Sequence, residues 1–198
     1  MIRYYVTVKK AKFTTECDIR VSQTASGKYS STVAFRVVNK SGVFVSDAEV
    51  LYALIDQNGT TVEQKSFKVY DLVPGATVYK TVSFDIQDTY VAAATGGVQT
   101  WTRNPSYKYT NMTKKVNIKM TSQTESSMSF TFKNKSKKTV NGTADLLFLD
   151  AEGKILFIRQ MSFYLQPKAT STDTAGYIPE GTVSTKLVKR AYAKDYVG

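Results

Sequence analysis

Residues 35–41 read Phe35-Arg36-Val37-Val38-Asn39-Lys40-Ser41, a run in which apolar side chains stand two residues apart before an Asn-Lys-Ser triplet. Such alternation places successive side chains on opposite faces of a β-strand. The arrangement returns 95 positions later as Phe130-Thr131-Phe132-Lys133-Asn134-Lys135-Ser136. A pattern that returns once at this distance predicts two copies of one structural unit.

Three further blocks recur in the same order, so that all four have offsets between 93 and 100 residues. They pair 22–26 with 122–126, 52–59 with 146–153, and 72–77 with 165–170, and Phe84 then stands opposite Tyr177. Four blocks in one order at nearly constant spacing are hard to obtain by chance. We therefore predict two homologous domains, 1–103 and 104–198, with the boundary at the interruption Asn104-Pro105-Ser106.

Alternation of polar and apolar residues dominates both halves. Clear examples are 4–8, 32–37, 81–86, 116–120 and 128–132. Short alternating runs rich in Val, Thr, Tyr and Phe predict antiparallel strands. For two segments, 90–95 and 182–197, the sequence fits either a helical turn or the last strand of a domain.

Turn signals separate these runs at the spacing of a β-sandwich. The tetrads 56–59 and 150–153 both have Asp first and Gly fourth, which is the preference of a type I turn between antiparallel strands. Pro74-Gly75 suits a type II turn. The sequence therefore predicts an all-β sandwich in each half.

The composition excludes several kinds of active site. The chain of 198 residues has 27 Lys and Arg, 16 Asp and Glu, no histidine and one cysteine, for a formal net charge of +11. Without histidine there is no Ser-His-Asp or Cys-His catalytic group and no histidine zinc ligand. Cys17 is expected to be a small buried hydrophobe. No carboxylate spacing, phosphate-binding glycine loop or calcium loop is found, so we expect no enzyme activity, no metal and no cofactor.

Tyr52-Ala53-Leu54-Ile55-Asp56, followed by Gly59 and then Leu72-Val73-Pro74-Gly75, resembles the FxLYD-type domains of bacterial envelope proteins. These are immunoglobulin-like β-sandwiches named for a Phe-x-Leu-Tyr-Asp signature. The second copy, Leu146 to Asp150, keeps the spacing without the first aromatic residue, and Lys168 stands where Gly would follow the proline. The resemblance implies two tandem immunoglobulin-like β-sandwich domains in an exported, surface-associated module that has no catalytic residues.

Packing alone also accounts for this signature. Tyr52 and Leu54 would face the core, and Asp56 would cap the hairpin turn through its own backbone. No run approaches the roughly 20 apolar residues that span a bilayer, and no leader opens the sequence. The protein is therefore cytosolic, or the sequence begins after a removed segment, and the resemblance favours an extracellular or envelope-associated protein.

The second half is the more basic, with 15 basic and 7 acidic residues in 104–198 against 12 and 9 in 1–103. Its candidate binding residues are Lys114, Lys115, Lys119, Lys133, Lys135, Lys137 and Lys138. Such a patch attracts polyanions, including anionic cell-surface polymers, nucleic acid and lipid head groups. A solvated strand face or guarded sheet edge also explains the alternation of Lys133 and Lys135. No nucleic-acid-binding motif is present, so nucleic acid is not the expected partner.

Aromatic residues form a second candidate site. Trp101, Tyr107 and Tyr109 cluster near the predicted boundary, where exposed rings could stack on a glycan or a partner protein. Packing within a sandwich, or between the domains, explains the same rings and is the interpretation that we favour.

We interpret the sequence as a non-enzymatic, envelope-associated or secreted spacer and interaction module with an unknown protein or anionic cell-surface polymer as partner. The first alternative is a binder of anionic polymers or carbohydrate through the basic second domain. The second is a structural subunit that assembles through its sheet edges.

Overall fold

The computed structural model describes residues 12–23 and 25–197, without the side chains of 85–87, and the chain is almost entirely β-strand. It divides into two compact units, Met1–Asn104 and Pro105–Gly198. In each unit antiparallel strands form two sheets. The all-β sandwich prediction is therefore confirmed, while the predicted strand at 4–8 lies outside the described residues.

The first unit has six described strands. They are β1 (Phe13–Gln23), β2 (Tyr29–Asn39), β3 (Val45–Asp56), β4 (Thr61–Leu72), β5 (Thr77–Gln87) and β6 (Val91–Thr102). One sheet has the order β1-β2-β5 and the other β4-β3-β6. The run at 35–41 forms the second half of the central strand β2 and the loop after it.

The second unit has seven described strands. They are β7 (Tyr107–Asn111), β8 (Val116–Gln123), β9 (Met128–Asn134), β10 (Val140–Leu149), β11 (Ile155–Leu165), β12 (Thr170–Ala175) and β13 (Ser184–Tyr196), with a 3₁₀ turn at Thr113–Lys115. The sheets have the orders β12-β9-β8 and β11-β10-β13-β7. Within the described part of the chain, no helix has the length and apolar character needed to cross a membrane.

Alternation determines which side chains are buried. On β3, Tyr52 and Leu54 are 3% and 0% exposed and belong to one core cluster with Phe35 of β2, as the signature predicts. In the second unit, Phe132 of β9 lies 5.3 Å, ring centre to ring centre, from Phe163 of β11. Each fully buried side chain of this size contributes roughly 1.5–3 kcal/mol.

Both Asp-x-x-Gly tetrads form the predicted hairpin turns. Asp56 Oδ1 accepts hydrogen bonds from the backbone N–H groups of Asn58 and Thr60, each at 2.8 Å. Asp150 accepts the equivalent pair of bonds in the second unit. Gly59 has a φ of 82°, a conformation that glycine adopts without strain. The Asp that begins each tetrad therefore caps its own turn.

The asparagine of the first Asn-Lys-Ser triplet is fully buried and ties two loops together. Asn39 Nδ2 donates to the carbonyl oxygens of Val43 at 2.9 Å and Leu72 at 2.8 Å. Its Oδ1 accepts from the backbone N–H of Ser41 at 3.0 Å and from the Ser41 hydroxyl at 2.5 Å. One carboxamide thereby satisfies backbone groups of the loop after β2 and the end of β4.

Asn134 makes the same kind of connection in the second unit. Its Nδ2 donates to the carbonyl oxygens of Lys138, Leu165 and Gln166 at 2.8, 3.2 and 3.0 Å. Its Oδ1 accepts from the backbone N–H of Ser136 at 2.9 Å. We call this arrangement the asparagine clamp. It holds the loop after β9 against the turn after β11.

Both segments that the sequence left open are strands, since 90–95 begins β6 and 182–197 contains β13. Phe84 and Tyr177, which the sequence repeat places opposite one another, have different surroundings. Phe84 is 5% exposed, whereas Tyr177 lies beyond the end of β12 and is 60% exposed.

Candidate anion-binding surface

Basic residues of the second unit gather at one end of the sheet β12-β9-β8. Lys133 of β9 lies opposite Asn117 of β8 on one side and opposite Thr170 of β12 on the other. The backbone N–H of Lys135 donates to the carbonyl oxygen of Lys115 at 2.8 Å. This bond holds the loop after β9 against the turn that precedes β8.

Two further lysines reach the same end from distant parts of the sequence. Lys168 Nζ donates to the carbonyl oxygen of Lys135 at 2.7 Å. Lys189 of β13 donates from its Nζ to the carbonyl oxygen of Val116. We call the resulting group the basic end. It consists of Lys115, Lys133, Lys135, Lys168 and Lys189.

Two positive charges at the basic end, those of Lys135 and Lys189, repel one another. Burial lowers the pKa of the Lys189 amine below its ordinary value, and the positive charge of Lys135 lowers it further. Both effects disfavour the protonated form. An anion bound beside these amines would favour that form, so the electrostatics of the basic end favour occupation by negative charge.

Lys168 adopts a backbone conformation that favours glycine. Its φ is 63°, and it is the third residue of a turn in which Ala169 N–H donates to the carbonyl oxygen of Gln166 at 3.1 Å. The equivalent residue of the first unit is Gly75, with a φ of 76°. A lysine in this conformation is strained by roughly 1–2 kcal/mol. The second unit therefore has a positively charged side chain, that of Lys168, at a position where its backbone is strained.

Replacing this lysine by glycine is expected to stabilise the second unit. Lys168→Gly should raise its free energy of unfolding by about 1 kcal/mol, because relief of strain exceeds the loss of one exposed hydrogen bond. Urea denaturation followed by circular dichroism measures the change. The control Lys137→Gly, at a position without positive φ, should lower stability by roughly 0.5–1 kcal/mol. Destabilisation by Lys168→Gly would contradict the strain argument.

The outer face of the same sheet extends the basic end. Residues directly opposite one another in neighbouring strands share a face, so Lys119 and Lys133 project on the same side as a set of hydroxyls. These hydroxyls belong to Ser129, Thr131, Thr170, Thr172 and Thr174. The only carboxylate on the described residues of these strands is that of Asp173, which lies opposite the core residue Phe130 and so on the other face. Hydroxyl groups therefore surround the two cations, and the described residues of the three strands place no carboxylate on that face.

The seven predicted lysines have different surroundings. The basic end includes Lys115, Lys133 and Lys135, and the outer face includes Lys119. The adjoining turns carry two exposed lysines, Lys114 and Lys137. The remaining lysine, Lys138, is ion-paired with Asp195 at 2.5 Å. Lys114 and Lys115 lie in the 3₁₀ turn that precedes β8 and not on the strand itself. Sequence reasoning missed Lys168 and Lys189. The departure from glycine at Lys168 was a visible signal, whereas nothing in the sequence marks Lys189.

The predicted aromatic cluster is divided between the two units. Trp101 is half-buried at the end of β6 and packs against the core of the first unit. Tyr107 and Tyr109 lie half-buried on β7, a strand of the second unit. Their rings meet those of Tyr196 and Tyr192 of β13 at centroid distances of 5.7 and 5.8 Å. These four tyrosines form a row on one sheet.

A buried ion pair lies beside this row. Asp145 is 0% exposed, and its Oδ2 is 2.8 Å from Nη1 of Arg190. Its Oδ1 accepts a hydrogen bond from Gln160 Nε2 at 3.1 Å. The Nε of Arg190 is buried and has no hydrogen-bond partner in the part of the chain that the structure describes. No sequence pattern pointed to this pair.

The single thiol is half-buried. Cys17 Sγ donates to the carbonyl oxygen of Ala94 at 2.7 Å. Burial raises the pKa of this thiol, and the charge of Asp18 raises it further, so the reactive thiolate is disfavoured. Among the residues with described positions, no three Cys, Asp or Glu side chains are placed to hold a metal ion.

No protein-family model and no curated protein matches this chain. Among solved structures, the chain is similar to red sea bream transglutaminase with a TM-score of 0.26 and 12% identity. That alignment covers 91% of this chain and 29% of the transglutaminase, so this chain spans less than a third of that protein's length.

Proposed function

We propose that this chain is a non-catalytic interaction module whose second unit binds an anionic polymer and whose first unit acts as a spacer. The observation that supports the proposal is the gathering of five lysines at one end of a sheet whose outer face has no described carboxylate. A polymer with regularly spaced negative groups can contact the basic end and continue along the outer face past Lys119. Binding would gain from counterion release at each contacted lysine.

The proposed setting is extracellular or envelope-associated, with an anionic cell-surface polymer as the partner. The resemblance of residues 52–59 and 72–75 to the FxLYD-type signature supports this setting. The hydroxyls on the outer face support a polymer that also carries hydrogen-bonding groups, since Ser and Thr side chains both donate and accept.

Titration with a linear inorganic polyphosphate tests the proposal. Binding should weaken steeply with salt, with a slope of about −3 in log K against log salt concentration if four or five lysines are contacted. Lys133→Glu/Lys135→Glu should weaken binding at least ~10-fold and bring the slope about 2 closer to zero.

A matched charge reversal provides the control. Lys154→Glu/Lys186→Glu changes the net charge equally at exposed positions outside the basic end and should alter affinity by less than ~3-fold. Equal losses from the two variants, or binding that does not depend on salt, would contradict the site. Tighter binding of single-stranded DNA than of polyphosphate would instead identify nucleic acid as the partner.

A further inference from the structure

The second unit has a long sheet edge that no described strand covers. β11 pairs with β10 on one side, and within the described residues nothing pairs with its other side. Phe157 and Tyr164 on this strand are 37% and 63% exposed. The unpaired N–H and C=O groups of such an edge form a template for another strand.

This edge lacks the charges that protect its counterpart. β4 has the same place in its own sheet, beside the strand that carries the Asp-x-x-Gly turn. Its side chains include Glu63, Lys65, Lys68 and Asp71, whereas the 11 residues of β11 include one charged residue, Arg159. Charged side chains discourage strand addition, because pairing would remove them from water. Of the two equivalent edges, β11 is therefore the one suited to pairing.

We propose that β11 pairs antiparallel with β11 of a second copy of this chain, in a register centred on Gln160. Antiparallel pairing of a strand with itself gives a two-fold symmetric contact, the commonest symmetry of protein dimers. A β-bulge at Leu156 interrupts the pairing of β11 with β10, and Gln160 is the midpoint of the regular segment 157–163 beyond that bulge. The opposed pairs are 157 with 163, 158 with 162, and 159 with 161.

This register avoids the unfavourable alternatives. It places Arg159 opposite Met161, and it places Phe157 of each copy opposite Phe163 of the other. Centring the pair on Arg159 would place two guanidinium groups directly opposite, which is destabilising. A register centred between two residues would place odd-numbered residues opposite even-numbered ones. The core side of one sheet would then continue into the outer side of the other. The proposed pairing of β11 does not involve the lysines of the basic end, so the dimer can be tested independently of anion binding.

Site-specific cross-linking tests the register in a Cys17→Ser background. Gln160→Cys places a cysteine opposite its own copy, at a Cα–Cα distance of about 4.5–5.5 Å that a disulfide can span. Ser162→Cys places the two thiols roughly 13 Å apart along the strands, too far for a disulfide. Mild oxidation should give at least ~10-fold more covalent dimer from the first variant, provided that circular dichroism shows both to be folded. Equal yields would overturn the register.

Sedimentation equilibrium of the full chain tests the dimer itself. The mass should approach twice that of one chain as concentration rises, and Ser162→Lys should weaken association at least ~10-fold by placing a charge on the edge. Ser66→Lys adds the same side chain to an exposed serine of the charged edge β4 and should leave association unchanged. A single-chain mass at all concentrations would overturn the proposal, as would equal effects of the two lysines.

Discussion

Asn134→Ala is expected to lower the free energy of unfolding of the second unit by about 3–5 kcal/mol. The substitution removes the carboxamide of the asparagine clamp and leaves its four backbone partners without it. These partners are the carbonyls of Lys138, Leu165 and Gln166 and the N–H of Ser136. Because the carboxamide is fully buried, water does not replace these bonds while the loops keep their places.

The single tryptophan makes this prediction measurable in each unit separately. Trp101 packs against the core of the first unit, so its fluorescence follows that unit, whereas circular dichroism follows both. Asn134→Ala should shift only the circular dichroism transition in urea, by about 1–3 M. Asn39→Ala should shift the fluorescence transition by a similar amount.

Lys135→Ala is the control for the clamp, since it changes an exposed residue of the same triplet and should alter stability by no more than about 0.5 kcal/mol. A loss below about 1 kcal/mol in Asn134→Ala would show that the backbone groups find other partners. A fluorescence transition that moves equally in both asparagine variants would show that the units do not unfold independently.

Asp145→Ala is expected to destabilise the second unit by about 3–5 kcal/mol. The change leaves the guanidinium of Arg190 buried, with its side chain 4% exposed, and without the carboxylate that faces it. An unpaired buried charge costs far more than the ion pair itself contributes. Thermal or urea unfolding followed by circular dichroism measures the loss.

The double variant Asp145→Ala/Arg190→Met separates the charge effect from a packing effect. Removing both partners leaves no buried charge, so the double variant should be less destabilised than Asp145→Ala alone, with a coupling energy of at least about 2 kcal/mol. Losses that simply add would show that each side chain acts through separate contacts.

The sequence predicts the strands and hairpin turns well, because both depend on local pattern. Alternation in 35–41 and 130–132 reflects the two faces of a strand, and the cap formed by Asp56 involves only its own turn. The asparagine clamp is different. The Asn-Lys-Ser triplet was visible as a repeat, but its bonds to Leu72 depend on a strand that ends 33 residues later.

The candidate binding surface was predictable only in part. Lys133 and Lys135 are two residues apart, and Lys115 directly precedes the adjacent strand β8, so inspection of the sequence groups them. Lys189 joins them because β13 packs across from β8, and this is a tertiary contact without a local signal. The same limit applies to Arg190, whose partner Asp145 is 45 residues away.

The asparagine clamp also affects how the chain can be produced. Both Asn-Lys-Ser triplets match the acceptor sequence for N-linked glycosylation, in which the sugar is attached to the asparagine amide nitrogen. That nitrogen is buried and already donates to backbone carbonyls in Asn39 and in Asn134. A glycan added during synthesis in a eukaryotic secretory pathway would be attached to the nitrogen that makes these hydrogen bonds. The folded clamp and the attached sugar therefore exclude one another at these two positions.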